Sequence, residues 1–190
     1  MRLLPWLVAI AFFMQSAMSV TPLDVKSVLA SYTLSLAVFI PISGWMADRF
    51  GTRRVFAAAI GLFTLGSVLC GLSTRIELLV ACRVLQGMGG AMMMPVGRLT
   101  LARTYGKADL VRVMSFVAVP SLIGPMIGPV AGGLLVTYVD WRAVFYVNVP
   151  VGVLGLYFVS RYLPDFREEN VHALDFPGLV LFGGGIALLS

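Results

Sequence analysis

Arg83 is a guanidinium set inside an apolar run. The stretch Ile76–Leu99 around it is built of apolar and small residues apart from its two ends. A charge at the bilayer centre costs roughly 2.5–3.5 kcal/mol on insertion scales, so a chain carries one there for a packed polar contact or for a transport pathway. Arg83, Gly87 and Ala91 fall at i, i+4 and i+8 and share one helix face. Small residues at that spacing let helices approach closely in lipid, which turns Arg83 toward a bundle interior and away from hydrocarbon. Gln86, beside Gly87, extends the polar surface. Two readings are open: a structural arginine satisfied by carbonyls of a neighbouring helix, or a group facing a hydrated cavity. The run Gly87-Met88-Gly89-Gly90 has no preceding strand and lies inside the apolar block, so it is not a nucleotide loop. Met92, Met93 and Met94 read as adaptable packing.

Two further constellations carry a physical mechanism. Gly44-Trp45-Met46-Ala47-Asp48-Arg49-Phe50-Gly51-Thr52-Arg53-Arg54 forms a tight polar loop between apolar blocks. Gly44 permits close backbone approach, and Asp48 beside Arg49, Arg53 and Arg54 is expected to form a charge cluster that latches one face of the membrane. Farther on, Pro120, Gly124, Pro125, Gly128, Pro129, Gly132 and Gly133 punctuate one apolar block. Gly124, Gly128 and Gly132 make a continuous small face, while Pro125 and Pro129 each remove a helix hydrogen bond and are expected to bend the axis. Such a helix suits an element that rocks against a neighbour. Enzymatic chemistry has no foothold: the apolar blocks show no paired carboxylates, metal-spaced histidines or nucleophile–base pair. The lone histidine, His172, falls in a charged loop.

The elements that must hold these residues follow from composition. The 190 residues are 59% hydrophobic and 12% charged, with a mean hydropathy of +0.93; soluble domains run about 25% charged. Seven apolar blocks are read, at Leu3–Val20, Val28–Ala47, Val55–Ser73, Ile76–Leu99, Val111–Val139, Val144–Leu163 and Phe176 to the end. Most approach the ~20 residues that cross a ~30 Å hydrocarbon core. Backbone polar groups in lipid must be satisfied within the chain, so the blocks predict helices and an all-α polytopic bundle. The net charge of +5 does not point to nucleic acid, because of how it is distributed. Arg49, Arg53, Arg54, Arg98, Arg103, Lys107, Arg112, Arg161 and Arg167 flank alternate loops, whereas the intervening loops hold Lys26, Arg75 and Arg142. The positive-inside bias then places the Arg-rich loops, and the N-terminus with Arg2, in the cytoplasm. Trp6, Trp45, Tyr138 and Trp141 fall near block ends, as an interfacial aromatic belt requires. Cys70 and Cys82 lie in apolar blocks and read as free, buried thiols. The first block is either a short spanning helix, interrupted by Gln15, Ser16 and Ser19, or a signal peptide.

These residues resemble a known family. The Gly44–Arg54 loop resembles the signature loop between the second and third helices of the major facilitator superfamily. Arg83-Val84-Leu85-Gln86-Gly87 resembles its fourth-helix motif, and Gly124-Pro125-Met126-Ile127-Gly128-Pro129-Val130-Ala131-Gly132-Gly133 the fifth-helix motif of its antiporters. The run Trp141-Arg142-Ala143-Val144-Phe145-Tyr146-Val147-Asn148-Val149-Pro150-Val151-Gly152 is similar to the sixth-helix start of the fourteen-helix drug:proton antiporter branch, and Asp175-Phe176-Pro177-Gly178 fits that branch's seventh helix. The resemblance implies residues 1–163 as an N-terminal six-helix bundle with a shortened first helix, 164–175 as a cytoplasmic connector and 176–190 as the start of a seventh helix. It implies a multi-pass exporter of the bacterial inner membrane that takes lipophilic or cationic small molecules and uses a proton gradient, with no other cofactor and no metal. Arg83 would take part in proton or substrate handling, and Gly124–Gly133 would seal the contact with a C-terminal half that is missing here. There are two departures: the branch's first-helix aspartate has no counterpart, and the C-terminal half that would supply partners to Asp48 and the fifth-helix glycines is missing. All nine acids fall at helix ends or in loops, so the coupling residue is not evident. The alternative is a transport-incompetent piece or a membrane assembly or regulatory subunit.

Overall fold

A computed structural model of the chain describes residues 26–168, together with Gly178 and Gly185. The first apolar block, His172, Asp175 and most of the last block lie outside the described residues. Within them the chain is helical: α1 (Lys26–Phe50), α2 (Thr52–Leu72), α3 (Ile76–Thr104), α4 (Lys107–Tyr138), α5 (Ala143–Tyr146) and α6 (Asn148–Tyr162). The second to fifth apolar blocks become α1 to α4. The sixth is divided at Val147, which keeps helical angles (φ −56°, ψ −32°), so α5 and α6 run on as a 20-residue span, Ala143–Tyr162. By length and composition that span, α2, α3 and Ala108–Tyr138 of α4 can each cross a membrane. The 21 residues of α2 rise about 31 Å at 1.5 Å per residue, which matches the hydrocarbon thickness. Pro41, Pro95, Pro120, Pro125 and Pro129 all lie inside helices. Prolines are tolerated in spanning helices because neighbours and local adjustments re-satisfy the freed carbonyls.

The core forms around α3, which packs against both α1 and α2, while α6 packs on α2 and α4 touches the bundle only lightly. Phe56 and Phe63 of α2 and Met93, Val96 and Leu101 of α3 are fully buried. In lipid the association of helices rests on close packing instead of water exclusion, so small residues decide where axes cross. Gly66 and Gly89 mark the α2–α3 crossing: a Cβ on Gly66 would stand 2.8 Å from Gln86 Cα, and one on Gly89 would stand 2.5 Å from Phe63 N and 2.6 Å from Ala59 O. The outer face of α4 stays open, with Leu122, Met126, Val130 and Leu134 exposed. That is ordinary for a surface meeting lipid or another bundle.

Of the connector read at 164–175, residues 164–168 are described: Asp165, Arg167 and Glu168 are exposed, Leu163 just before them is buried, and the segment folds back across the turn between α1 and α2. Charge composition marks a segment as wet at one side; it says nothing of which backbone groups the other side pairs.

Candidate functional site

Arg83 lies two turns into α3. Its side chain is 1% exposed and is among the largest fully buried side chains. Nη1 donates to Gln86 Oε1 at 3.1 Å, and Gln86 Nε2 donates to Ser67 Oγ of α2 at 2.7 Å. The Cys70 thiol is directed at the same Gln86 oxygen at 3.9 Å. Two aromatic faces close over the guanidinium, Phe145 of α5 at 4.7 Å and Tyr32 of α1 at 5.6 Å from the ring centroids. Cation–π contacts of this kind gain strength when desolvated. Gly87 makes room for them: a Cβ there would stand 2.8 Å from Ser35 Cβ and 3.0 Å from Tyr32 O. Ser35 in turn donates to Val84 O at 2.9 Å. The expectation that Arg83 turns inward from a small-residue face agrees with this geometry. The hydrated crevice is not what surrounds it here; the cation is shut between α1, α2, α3 and α5. Gln86 was read from the sequence. Ser67, Tyr32 and Phe145 were not, although Ser67 in the middle of an apolar block was a visible signal.

The second cluster gathers at the opposite end of α3. Arg103 Nη2 meets Asp48 Oδ1 at 2.9 Å and Glu168 Oε1 at 3.1 Å, and the Glu168 N–H donates to Asp48 O at 3.1 Å. Asp48 is thus paired with a residue 55 positions away, not with the adjacent arginines. Arg49 stacks on Trp45 at 5.1 Å, Arg54 is exposed, and the Arg53 guanidinium donates to the Ser160 carbonyl. The returning segment completes the latch. Thr52 N–H donates to Phe166 O at 3.0 Å, Phe166 N–H to Thr52 Oγ1 at 3.1 Å, and Arg53 N–H to Asp165 Oδ1 at 3.0 Å. The side chains in these ion pairs are partly exposed, so each contributes only up to about 1 kcal/mol; their value lies in tying three helix ends together.

Gly51 is the pivot of that turn. Its φ of +96° is open to glycine, and a Cβ would stand 2.5 Å from Asp165 Oδ1. Gly51→Ala is therefore expected to cost about 1–3 kcal/mol of backbone strain and to release the returning segment. Thermal unfolding of purified protein, with limited proteolysis after residue 163, reads both effects; unchanged melting and protection would contradict the geometry. Gly44, by contrast, has nothing within 4 Å of an added Cβ.

The remaining sequence-derived residues are distributed as follows. Gly124 and Gly128 are buried and Gly132 half-buried, while Pro125, Pro129 and Gly133 are exposed. Arg142 stacks on Trp141 at 4.6 Å, and Trp141 meets Phe145 edge-on at 6.0 Å. Asn148 is buried at the start of α6, its Nδ2 donating to Val144 O at 3.3 Å and Phe145 O at 3.4 Å, and so it bridges the α5–α6 junction. Pro150 falls three residues into α6, just past the junction at Val147.

A bundle of apolar helices around a buried cation, tied at one end by a charged latch, defines a polytopic α-helical membrane protein. The sequence pattern of the Major Facilitator Superfamily matches residues 3–186, and the chain belongs to that family. It is 44% identical over 200 residues to MdtD of Salmonella typhi, a protein named for multidrug resistance, with 97% of this chain and 42% of MdtD covered. The same protein of Salmonella paratyphi B is 43% identical over the same extent. The chain thus spans less than half the length of these relatives. Among solved structures, the human organic anion transporter MFSD10 (TETRAN) superposes with a TM-score of 0.75 at 14% identity, covering 99% of this chain and 54% of that one. At that identity the likeness shows the fold alone.

Proposed function

We propose that this chain supplies the N-terminal bundle of a drug exporter of the bacterial inner membrane, with its N-terminus cytoplasmic. The bundle rocks against a second one about a midplane cavity, the motion common to transporters built from repeated halves. The substrates are lipophilic or cationic small molecules, and the energy source is a proton gradient. One observation carries the reading: a fully buried guanidinium held by Gln86 and Ser67 under two aromatic rings, where a helix bundle built for stability alone gains more from apolar packing. Arg83 is occluded in this conformation and is reached in the alternate one. Arg83 keeps its proton at neutral pH, so it positions substrate or tunes a partner acid and does not itself shuttle protons. Asp48, Arg103 and Glu168 close the cytoplasmic side, with Arg49, Gly51, Arg53 and Arg54 shaping and orienting that loop. Gly124, Gly128 and Gly132, with Pro125, Pro129 and Gly133, pack the moving contact, and Trp141, Arg142, Asn148 and Pro150 hold the start of the sixth span.

The test is extrusion of a fluorescent lipophilic cation from liposomes holding the full-length protein. An imposed pH gradient should accelerate extrusion at least tenfold over the gradient-free rate. Equal rates with and without the gradient would remove proton coupling, and no extrusion in either case would favour a non-transporting subunit.

A further inference from the structure

The far end of the bundle from the Asp48–Arg103 latch carries a cavity of about 180 Å³, lined by Ser73, Thr74, Arg75, Leu79, Trp141 and Arg142 among others. Its two arginines come from separate loops, one between α2 and α3 and the other between α4 and α5, and only the tertiary fold brings them to one hollow. Their surroundings differ. Arg142 is anchored: its backbone N–H donates to Asp140 Oδ1 at 2.8 Å, Nη1 stands 3.8 Å from the same carboxylate, Nη2 reaches Ser73 O at 3.4 Å, and its face lies on Trp141. Stacking occupies the face of a guanidinium and leaves edge N–H donors, of which it has five. Arg75 is exposed and makes no ion pair among the described residues, Glu77 in the next turn included. A cation with no acid to answer it, beside a second one pre-oriented by stacking, suits an anion with several acceptor oxygens, and arginine's planar fork matches phosphate.

The residues next to the hollow point to the source of that phosphate. Ile76 lines it and is 50% exposed, and Leu72, Leu78, Tyr138 and Val139, each within three residues of the lining along the chain, are exposed at 62%, 50%, 79% and 70%. They crowd the ends of spanning helices, the depth at which tyrosine and tryptophan meet headgroups. A soluble anion would gain nothing from this apolar collar; a lipid would lay its acyl chains along it while its headgroup entered between the arginines. We infer that the Arg75–Arg142 hollow is a binding site for the phosphodiester headgroup of an anionic phospholipid.

Native mass spectrometry of the delipidated protein, titrated in micelles with phosphatidylglycerol or phosphatidylcholine, tests this. A basic side chain at an anionic surface contributes about 1 kcal/mol, so Arg75→Gln should weaken phosphatidylglycerol binding about fivefold and leave phosphatidylcholine binding unchanged. Arg75→Lys should fall between wild type and Arg75→Gln, because it keeps the charge and loses the planar fork. Among the described residues Arg75 makes no side-chain hydrogen bond or ion pair, and an unshifted melting temperature of Arg75→Gln in lipid-free micelles checks that it folds. Equal uptake of phosphatidylglycerol by wild type and Arg75→Gln would overturn the site. Competition by millimolar inorganic phosphate as effective as by lipid would overturn the lipid assignment in favour of a free anion.

Discussion

Gly89→Leu is expected to force α2 and α3 apart and to lower stability more than a change at any other glycine on that contact. An added Cβ meets Phe63 N at 2.5 Å and Ala59 O at 2.6 Å, and both are backbone atoms. A side chain in the way could rotate; a backbone cannot, so one helix must move relative to the other. Overpacking costs typically about 1–3 kcal/mol, and a rigid obstacle puts this case at the upper end. The Arg83 site would suffer with it, because the Gln86–Ser67 bond spans the same two helices. Gly44→Ala is the matched control. Nothing lies within 4 Å of the new methyl group, and alanine is favoured over glycine in a helix by up to about 1 kcal/mol, so that variant should be neutral or slightly stabilised. Thermal unfolding of the two variants in the same detergent reads the contrast. A Gly89→Leu protein that melts with Gly44→Ala would mean that the helices do not cross there.

Arg83→Ala should abolish export in the full-length protein, by a hundredfold or more, while the protein still inserts in the membrane. Truncation also has a structural cost, and its size decides how the result is read. The change empties a fully buried site beneath Phe145 and Tyr32 and takes one donor from Gln86 Oε1. Loss of packing and of one buried hydrogen bond together costs about 2–5 kcal/mol. A purely structural arginine would therefore lose export only in proportion to the folded protein lost. Arg83→Lys separates the cases. It keeps the charge and much of the stem but not the planar fork that meets Gln86 between two rings. Export lost in Arg83→Lys at near-normal folded yield indicates a role in the transport cycle. Normal drug resistance in Arg83→Ala would remove Arg83 from the mechanism.

Arg83 itself was legible because a single charge in an apolar run is a one-dimensional signal. Its inward direction was legible because Gly87 and Ala91 follow at helical spacing, and both are buried with it. Its enclosure was not. Phe145 lies 62 positions along the chain and Ser67 precedes it in another helix, and no periodicity relates those positions to Arg83. The latch shows the same division. Asp48 among arginines announced an ion-pair cluster, but proximity in sequence suggested Arg49, Arg53 and Arg54 as partners. Adjacent residues at a helix end point around the axis in different directions, and Arg53 is drawn instead to the Ser160 carbonyl.

Taken alone, the sequence determined the rough limits of the described helices α1 to α4, the face that Arg83 shares with Gly87 and Ala91, and the family. Lipid enforces the first through backbone hydrogen bonding, which each apolar block must complete for itself, and the helical repeat dictates the second. Tertiary structure alone decided that Arg103 and Glu168 hold Asp48, that residues 164–168 strap the turn at Gly51, and that Arg75 and Arg142 share one hollow. Each of these depends on which helix ends lie side by side, and that is settled by glycine-to-backbone contacts such as Gly89 on Ala59 and Phe63, where a few tenths of an ångström choose the crossing.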